Sequence, residues 1–142
     1  MPAKPWVTFR PPEPDREYLA LLTELPLARF RDLGRFVLYT RRIAAQLRKT
    51  PGVLGYSLMA HVFSKRFWTL SVWEDDTVLA KFVVQTPHAQ VMSALAGKMN
   101  QTRFVRWSIR GSEYPLRWDE AFQKSDAAEQ AKTRTAHSRK ST

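Results

Sequence analysis

The chain has 142 residues, which is enough for one domain with a hydrophobic core and too few for two of ordinary size. It contains no cysteine, which excludes disulfides, zinc–thiolate sites and a cysteine nucleophile. The formal net charge is +10, to which residues 123–142 contribute +3 and the remainder +7. Apart from Arg41–Arg42 and a group at Arg29, Arg31 and Arg35, these charges are scattered. They indicate a solvated basic surface, and no nucleic-acid partner is expected.

Residues 1–16 carry five prolines, which neither a helix nor a central strand accommodates, so we predict an extended N-terminal arm. Trp6 and Phe9 are large enough to hold that arm against the domain. No stretch is long enough to span a bilayer, and no signal peptide is evident. We therefore expect a cytoplasmic protein without a membrane partner.

The spacing of apolar residues predicts strands and helices between residues 17 and 109. The strands are predicted at 17–25, 53–63, 67–73 and 102–109, and the helices at 28–49 and 77–85. Asp75 or Asp76 is predicted to cap the second helix. A further helical segment begins at Thr86–Pro87 and places His88 on its apolar side.

The strand at 67–73 has two different faces. Trp68, Leu70 and Val72 form an apolar row, and the opposite row mixes aromatic and hydroxyl side chains, namely Phe67, Thr69, Ser71 and Trp73. The strand at 102–109 repeats this contrast, since Val105, Trp107 and Ile109 oppose Phe104, Arg106 and Ser108. Such strands are predicted to cover a core on one side and a more selective environment on the other.

The remaining chain is predicted to close the domain and then lose order. Tyr114 to Phe122 can pack on the body, with a short helix at 119–123. Residues 123–142 lack large apolar side chains and are predicted to be a disordered basic tail. This leaves one folded domain at 17–122, and no internal repeat is visible.

The order strand, helix, strand, strand, helix, strand predicts an α+β, ferredoxin-like βαββαβ fold, with a four-stranded antiparallel sheet and two helices on one face. Both faces of the predicted strands carry large apolar or aromatic side chains. A bare face would expose large apolar residues that include Tyr18, Leu22, Phe67, Trp73 and Phe104. We therefore predict that a second copy covers it and that the protein is a homodimer.

The motif FWTLSVWED, followed by an amphipathic helix and TPHAQVM, resembles the dimeric α+β barrel proteins grouped with antibiotic-biosynthesis monooxygenases. Within that group it is most similar to a branch near spheroidene monooxygenase, with FVLYTRRIAAQL, TPGVLGYSL and RFVRW in support. The resemblance covers residues 18–109. It implies a cavity between sheet and helices that accepts a planar aromatic substrate or a haem.

The resemblance also implies roles for individual residues. Trp73 matches a cavity tryptophan and His88 a haem-iron ligand, and both are candidate catalytic residues. The candidate substrate-binding residues are Phe67, Thr69, Ser71, Phe104 and Arg106. Haem-degrading members use an asparagine on the first strand, where this chain offers Thr23 and Glu24 instead. Oxidative cleavage of haem is therefore not expected.

Each of these roles has a structural alternative. Trp73 can be core packing, His88 a buried histidine that donates to a carbonyl, and Arg106 a residue at the cavity rim. Two functions follow. The first is a monooxygenase-like enzyme acting on an aromatic or polyene molecule, with haem as one candidate cofactor. The second is a non-catalytic dimer that binds a small molecule or haem.

Overall fold

A computed structural model describes residues 6–84 and 102–140, the last ten of these by backbone alone. The strands are β1 (Val7–Thr8), β2 (Glu17–Pro26), β3 (Val53–His61), β4 (Arg66–Trp73) and β5 (Arg103–Arg110). The helices are α1 (Leu33–Arg48), α2 (Asp76–Val84) and α3 (Trp118–Lys140). Short 3-10 turns precede α1 and follow β5. The helix predicted from Thr86 onward, with His88, lies outside the described residues.

The strands form one antiparallel sheet in the order β1-β3-β4-β2-β5. Its four long strands and two intervening helices confirm the predicted ferredoxin-like α+β architecture. The fifth strand is new, because the arm predicted to be merely extended pairs Val7 and Thr8 with the edge of β3. Asp75 caps α2 as predicted, since its Oδ1 accepts a hydrogen bond from the Val78 amide at 3.0 Å. None of the described helices is long and apolar enough to cross a membrane.

The two faces of the sheet have different partners. The face that carries Thr69, Ser71 and Trp73 lies against α1 and α2, and we call it the cavity face. The face that carries Trp68, Leu70 and Val72 lies against the chain ends, and we call it the closed face. Pairing of β2 with β4 and β5 extends each row across the sheet.

The prediction that one sheet face would be bare was wrong, because the chain ends cover the closed face. Aromatic and aliphatic side chains from outside the four long strands pack there, namely Trp6, Tyr114, Leu116, Trp118, Ala121 and Phe122. Of the five residues expected to be bare, only Tyr18 and Leu22 lie on this face, and both are buried. A second subunit is thus not required to cover the sheet.

Hydrogen bonds fix the chain ends on the closed face. The Trp6 indole donates to the Leu116 carbonyl at 2.9 Å, and the hydroxyls of Thr8 and Tyr114 lie 2.8 Å apart. A side chain at Gly55 would place its Cβ 2.2 Å from the Tyr114 hydroxyl oxygen and 2.5 Å from the carbonyl oxygen of Val7. Glycine at position 55 therefore allows the close approach of both ends.

The structure also differs from the predicted disordered tail, because α3 runs from Trp118 to Lys140. Its composition of Ala, Glu, Gln and Lys reads as low complexity, but these residues are also good helix formers. Arg103 on β5 holds this helix to the sheet through Ser125, whose hydroxyl accepts a hydrogen bond at 3.1 Å, and through Glu129, at 3.1 Å. The predicted boundary at residue 123 thus falls inside a helix.

Candidate functional site

The cavity face of the sheet forms the floor of a cavity of about 580 Å³ beneath α1 and α2. Its described walls are mainly apolar, with hydroxyl groups on the sheet side from Thr23, Thr69 and Ser71. Leu21, Leu47, Leu79 and Phe82 supply much of the apolar wall. A mostly apolar hollow with a few convergent hydroxyls is the usual form of a small-molecule site.

The alternation of β4 is what places three of the predicted residues at this floor. Thr69, Ser71 and Trp73 are two residues apart, so their side chains leave the same side of the strand. Phe104 and Arg106 follow the same rule on β5, and both also line the cavity. The structure therefore brings together these five predicted site residues, while their roles stay predictions.

Trp73 both packs in the core and lines the cavity. It is only 2% exposed, and its ring lies 5.0 Å from that of Phe82. Its indole N–H donates to the Ser71 hydroxyl oxygen at 2.8 Å. Because that N–H is engaged, Trp73 offers a ring surface to a ligand, and it fixes the position of Ser71.

Ser71 is left with a hydrogen to donate. Its oxygen accepts the bond from Trp73, and a serine hydroxyl carries one donor in addition to its acceptor sites. The side chain is 5% exposed and lies within the cavity lining. Ser71 can thus direct a hydrogen bond at an oxygen atom of a bound molecule.

Arg106 stands at the rim of the cavity, as one of the two sequence interpretations expected. Its guanidinium lies 3.3 Å from a carboxylate oxygen of Asp76, and both side chains are largely exposed, at 60% and 74%. An exposed pair of this kind contributes little to stability. The guanidinium remains accessible to a carboxylate at the mouth of the cavity.

Phe67 does not line the larger cavity. It is buried against Phe36, with ring centroids 4.5 Å apart, in a small core cluster that includes Leu27. It does line a second cavity of about 260 Å³ beside the larger one. The two cavities share several wall residues, among them Thr40, Tyr56 and Leu58.

Thr23 and Glu24, the two polar candidates on the strand predicted at 17–25, lie in β2 and point in opposite directions. Thr23 lines the cavity, whereas Glu24 lies on the closed face, where it pairs with Arg66 and lies 3.5 Å from Arg103. Glu24 is therefore removed from the candidate site. Its two arginine partners explain how a carboxylate is tolerated at 8% exposure.

Two tyrosines that line the cavity were not singled out from the sequence. Tyr39 on α1 flanks the apolar stripe, and Tyr56 on β3 contacts the ring of Phe9 at 5.9 Å. The helical spacing of Tyr39 from Phe36 and Ile43 could have indicated it. The alternation of the strand predicted at 53–63 places Leu54, Tyr56 and Leu58 on one face. This is correct for Tyr56 and Leu58, but a bulge between Val53 and Gly55 moves Leu54 to the closed face.

Among the described lining residues there is no imidazole, thiolate or thioether to ligate an iron. The described residues also contain no cluster of three His, Cys, Asp or Glu side chains that could hold a metal. His88, the predicted haem ligand, lies outside the described residues. Arg106 at the rim would suit a haem propionate, and the phenols of Tyr39 and Tyr56 are the wall groups of a type that can ligate haem iron.

Comparison with known proteins supports the fold. No protein-family model and no curated protein matches the chain. Among solved structures, a Lactobacillus acidophilus protein named "putative monooxygenase" matches with a TM-score of 0.62 and 10% identity, over 75% of this chain and 49% of that one. This chain thus spans about half the length of that protein.

Two shorter proteins match over almost their whole length. SnoaB, a cofactor-independent oxygenase from Streptomyces nogalater, matches with a TM-score of 0.55 and 14% identity, over 66% of this chain and 94% of its own. PA3566 from Pseudomonas aeruginosa matches with a TM-score of 0.55 and 19% identity, over 63% and 91%. The chain therefore has the ferredoxin-like fold of antibiotic-biosynthesis-monooxygenase-like proteins, and the predicted resemblance is confirmed at the level of fold.

Proposed function

We propose that the protein is a monooxygenase-like enzyme that oxidises an aromatic or polyene small molecule in the larger cavity. The observation that supports this most is the row of Thr69, Ser71 and Trp73, which lines the sheet side of a mostly apolar cavity. Apolar walls favour a hydrophobic ligand, and hydroxyls on one side orient its oxygen atoms. Oxygenase names among the structural neighbours are consistent with this assignment.

Ser71 is the residue proposed to act on the substrate. A phenolic substrate reacts with oxygen as its phenolate, which forms when the phenol proton leaves to water and which then supplies the electrons that reduce oxygen. A donor already oriented toward the phenolate oxygen stabilises that anion. Trp73 holds the Ser71 oxygen through its N–H, so little reorganisation is needed. Trp73 and Phe104 would flank the substrate as aromatic surfaces.

The test compares oxygen uptake of the wild type with that of Ser71→Ala, using polyphenols and polyenes as substrates. Loss of one donor is expected to lower the rate about tenfold or more. Because the buried Trp73 N–H also loses its acceptor, the free energy of unfolding should fall by about 1–3 kcal/mol, so the rates are compared at a temperature at which both proteins are folded. Ser112→Ala, at an exposed serine in the turn after β5, is the matched control and should behave as the wild type. Equal rates in Ser71→Ala and wild type would remove the proposed role of this hydroxyl.

A non-catalytic binder is the second candidate, favoured if ligands quench the fluorescence of the buried Trp73 without any oxygen uptake.

The purified protein also allows a test of haem binding. If haem is bound through His88, a Soret band should appear with added haem and be lost in His88→Ala. No band in either protein would remove the haem version and leave the cofactor-independent one.

The homodimer now depends on the family resemblance alone, since the closed face is covered within one chain. Sedimentation equilibrium at micromolar concentration tests it directly. A molecular mass equal to that of one chain would contradict the predicted homodimer. The cytoplasmic location stays a prediction.

A further inference from the structure

We propose that the protein binds the surface of an anionic membrane through the outer side of α1 and the β3–β4 turn. This patch consists of exposed apolar side chains surrounded by basic ones. The apolar members are Phe30, Val37, Leu38, Val62 and Phe63, and the basic members are Arg31, Arg35, Arg41, Arg42 and Lys65. No membrane partner was expected from the lack of a spanning segment, but surface binding requires no such segment.

The charged residues between Leu33 and Trp73 are all positive. Between Leu33 and Trp73 there are seven Lys or Arg residues and no Asp or Glu. Of these seven, only Arg66 has an acidic partner among the described residues, namely Glu24. The nearby Asp32, just before α1, is the closest acid in sequence. The charges of α1 are thus available to an external anion.

Apolar side chains are exposed in the same place. Phe63, in the β3–β4 turn, is 96% exposed, and Val62 beside it is 44% exposed. On the helix side, Phe30, Val37 and Leu38 are between 43% and 52% exposed. Five of the eight large apolar side chains that are exposed in the described chain therefore lie on α1, on the turn just before it or on the β3–β4 turn.

Contacts hold the turn against the start of α1. The Lys65 ammonium lies 5.1 Å from the centre of the Phe30 ring, and it also donates to the Ala28 carbonyl at 3.4 Å. The Leu27 amide donates to the Lys65 carbonyl at 2.7 Å. Phe30 and the turn that carries Phe63 thus belong to one continuous surface rather than to two separate ones.

Charge and shape favour a lipid surface over other partners. A symmetric pair of chains joined through this patch would place its arginines against each other, which disfavours a second copy. Nucleic acid would satisfy the arginines but gains nothing from Val37, Leu38 and Val62. An anionic bilayer satisfies both, because its headgroups attract the arginines and its acyl boundary accepts Phe63 and its neighbours.

The patch also adjoins the smaller cavity. Val37 and Arg41 belong to the patch and line that cavity, which shares walls with the larger one. This arrangement would let an apolar substrate pass from the bilayer toward Ser71, a step that rests on the proposed function. The binding to lipid does not depend on that function, and it is tested without any substrate.

The test measures co-sedimentation of the full chain with vesicles of phosphatidylcholine alone and with vesicles containing 30 mol% phosphatidylglycerol. Binding to the anionic vesicles and weak binding to the neutral ones is expected. Phe63→Ser should lower the partition coefficient about tenfold, and the double variant Arg35→Gln/Arg42→Gln about 30-fold. All three substituted side chains are exposed, so the fold should be retained, as circular dichroism would verify.

Matched controls are Val84→Ser, an exposed valine of α2, and Arg117→Gln, an exposed arginine beside the closed face. Both should bind as the wild type. Equal partition of wild type on the two vesicle types would overturn the proposal. A protein that binds duplex RNA but no vesicles would also overturn the proposal. In that case the arginine variant would weaken RNA binding and Phe63→Ser would not, which indicates a nucleic-acid partner. Vesicle binding lost only when Lys132, Arg134 and Arg139 are neutralised would also overturn it.

Discussion

The two faces of the sheet are built from the same four strands but do different things. The closed face is occupied by the chain's own aromatic side chains, and Leu70 and Val72 on it have no exposure at all. The cavity face leaves about 580 Å³ open beneath the helices and brings hydroxyls to its floor. The comparison shows that the purely apolar row serves stability, whereas the mixed row leaves room for a ligand.

The largest expected effect separates the faces by stability. Leu70→Ala removes a side chain with 0% exposure from the closed face and should lower the free energy of unfolding by about 2–5 kcal/mol. Leu58→Ala removes a half-buried side chain that already borders the cavity, and the loss should be about 1 kcal/mol. Guanidinium unfolding midpoints measure both. Equal losses would contradict the distinction between a closed and an open face.

A smaller effect tests how tightly the chain ends cover the closed face. Gly55→Ala places a methyl group against Tyr114 and the Val7 carbonyl and should cost about 1–3 kcal/mol. Gly34→Ala is the matched control, because nothing lies within 4 Å of its Cβ position in α1, and it should stabilise the protein by about 0.5–1 kcal/mol. If Gly55→Ala is tolerated equally well, the ends are held less closely than described.

The smallest effect is a pH dependence at the same contact. Burial raises the pKa of the Tyr114 phenol above its usual value of 10.0, although the hydrogen bond with Thr8 partly lowers it. The folded state thus holds the proton more tightly than the unfolded chain. This stabilisation is complete below pH 10 and is lost as the pH rises through the higher folded pKa. Tyr114→Phe should show a shallower loss of stability above pH 10, and identical slopes would contradict the assignment.

The long strands and α1 could be predicted because each follows one local periodicity. The mixed row of β4 was visible for the same reason, and it located Ser71 and Trp73 on one face. The segments that cover each face could not be identified from local sequence patterns, because they lie far from the strands along the chain. The partners of Trp68 and Leu70 come from segments near Trp6 and Trp118, where prolines and short apolar runs show no period.

Particular side chains show the same limit. Leu54 was assigned to the wrong face because a single bulge reverses the alternation, and bulges leave little trace in sequence. The helical spacing of residues 28–49 predicts Val37 on the same apolar stripe as Phe36 and Leu47, yet it is 43% exposed. The exposure of such a side chain depends on where the neighbouring strand ends, and the helical spacing gives no information about that.

The contacts between Trp6 and Leu116 and between Thr8 and Tyr114 join parts of the chain more than 100 residues apart. During synthesis, the ribosome releases the four long strands before the segment that packs over them. A nascent chain halted near residue 110 would present Leu22, Leu70 and Val72 on an open hydrophobic sheet. Chains truncated before Tyr114 are therefore expected to aggregate more readily than chains that include the segment from Tyr114 to Phe122.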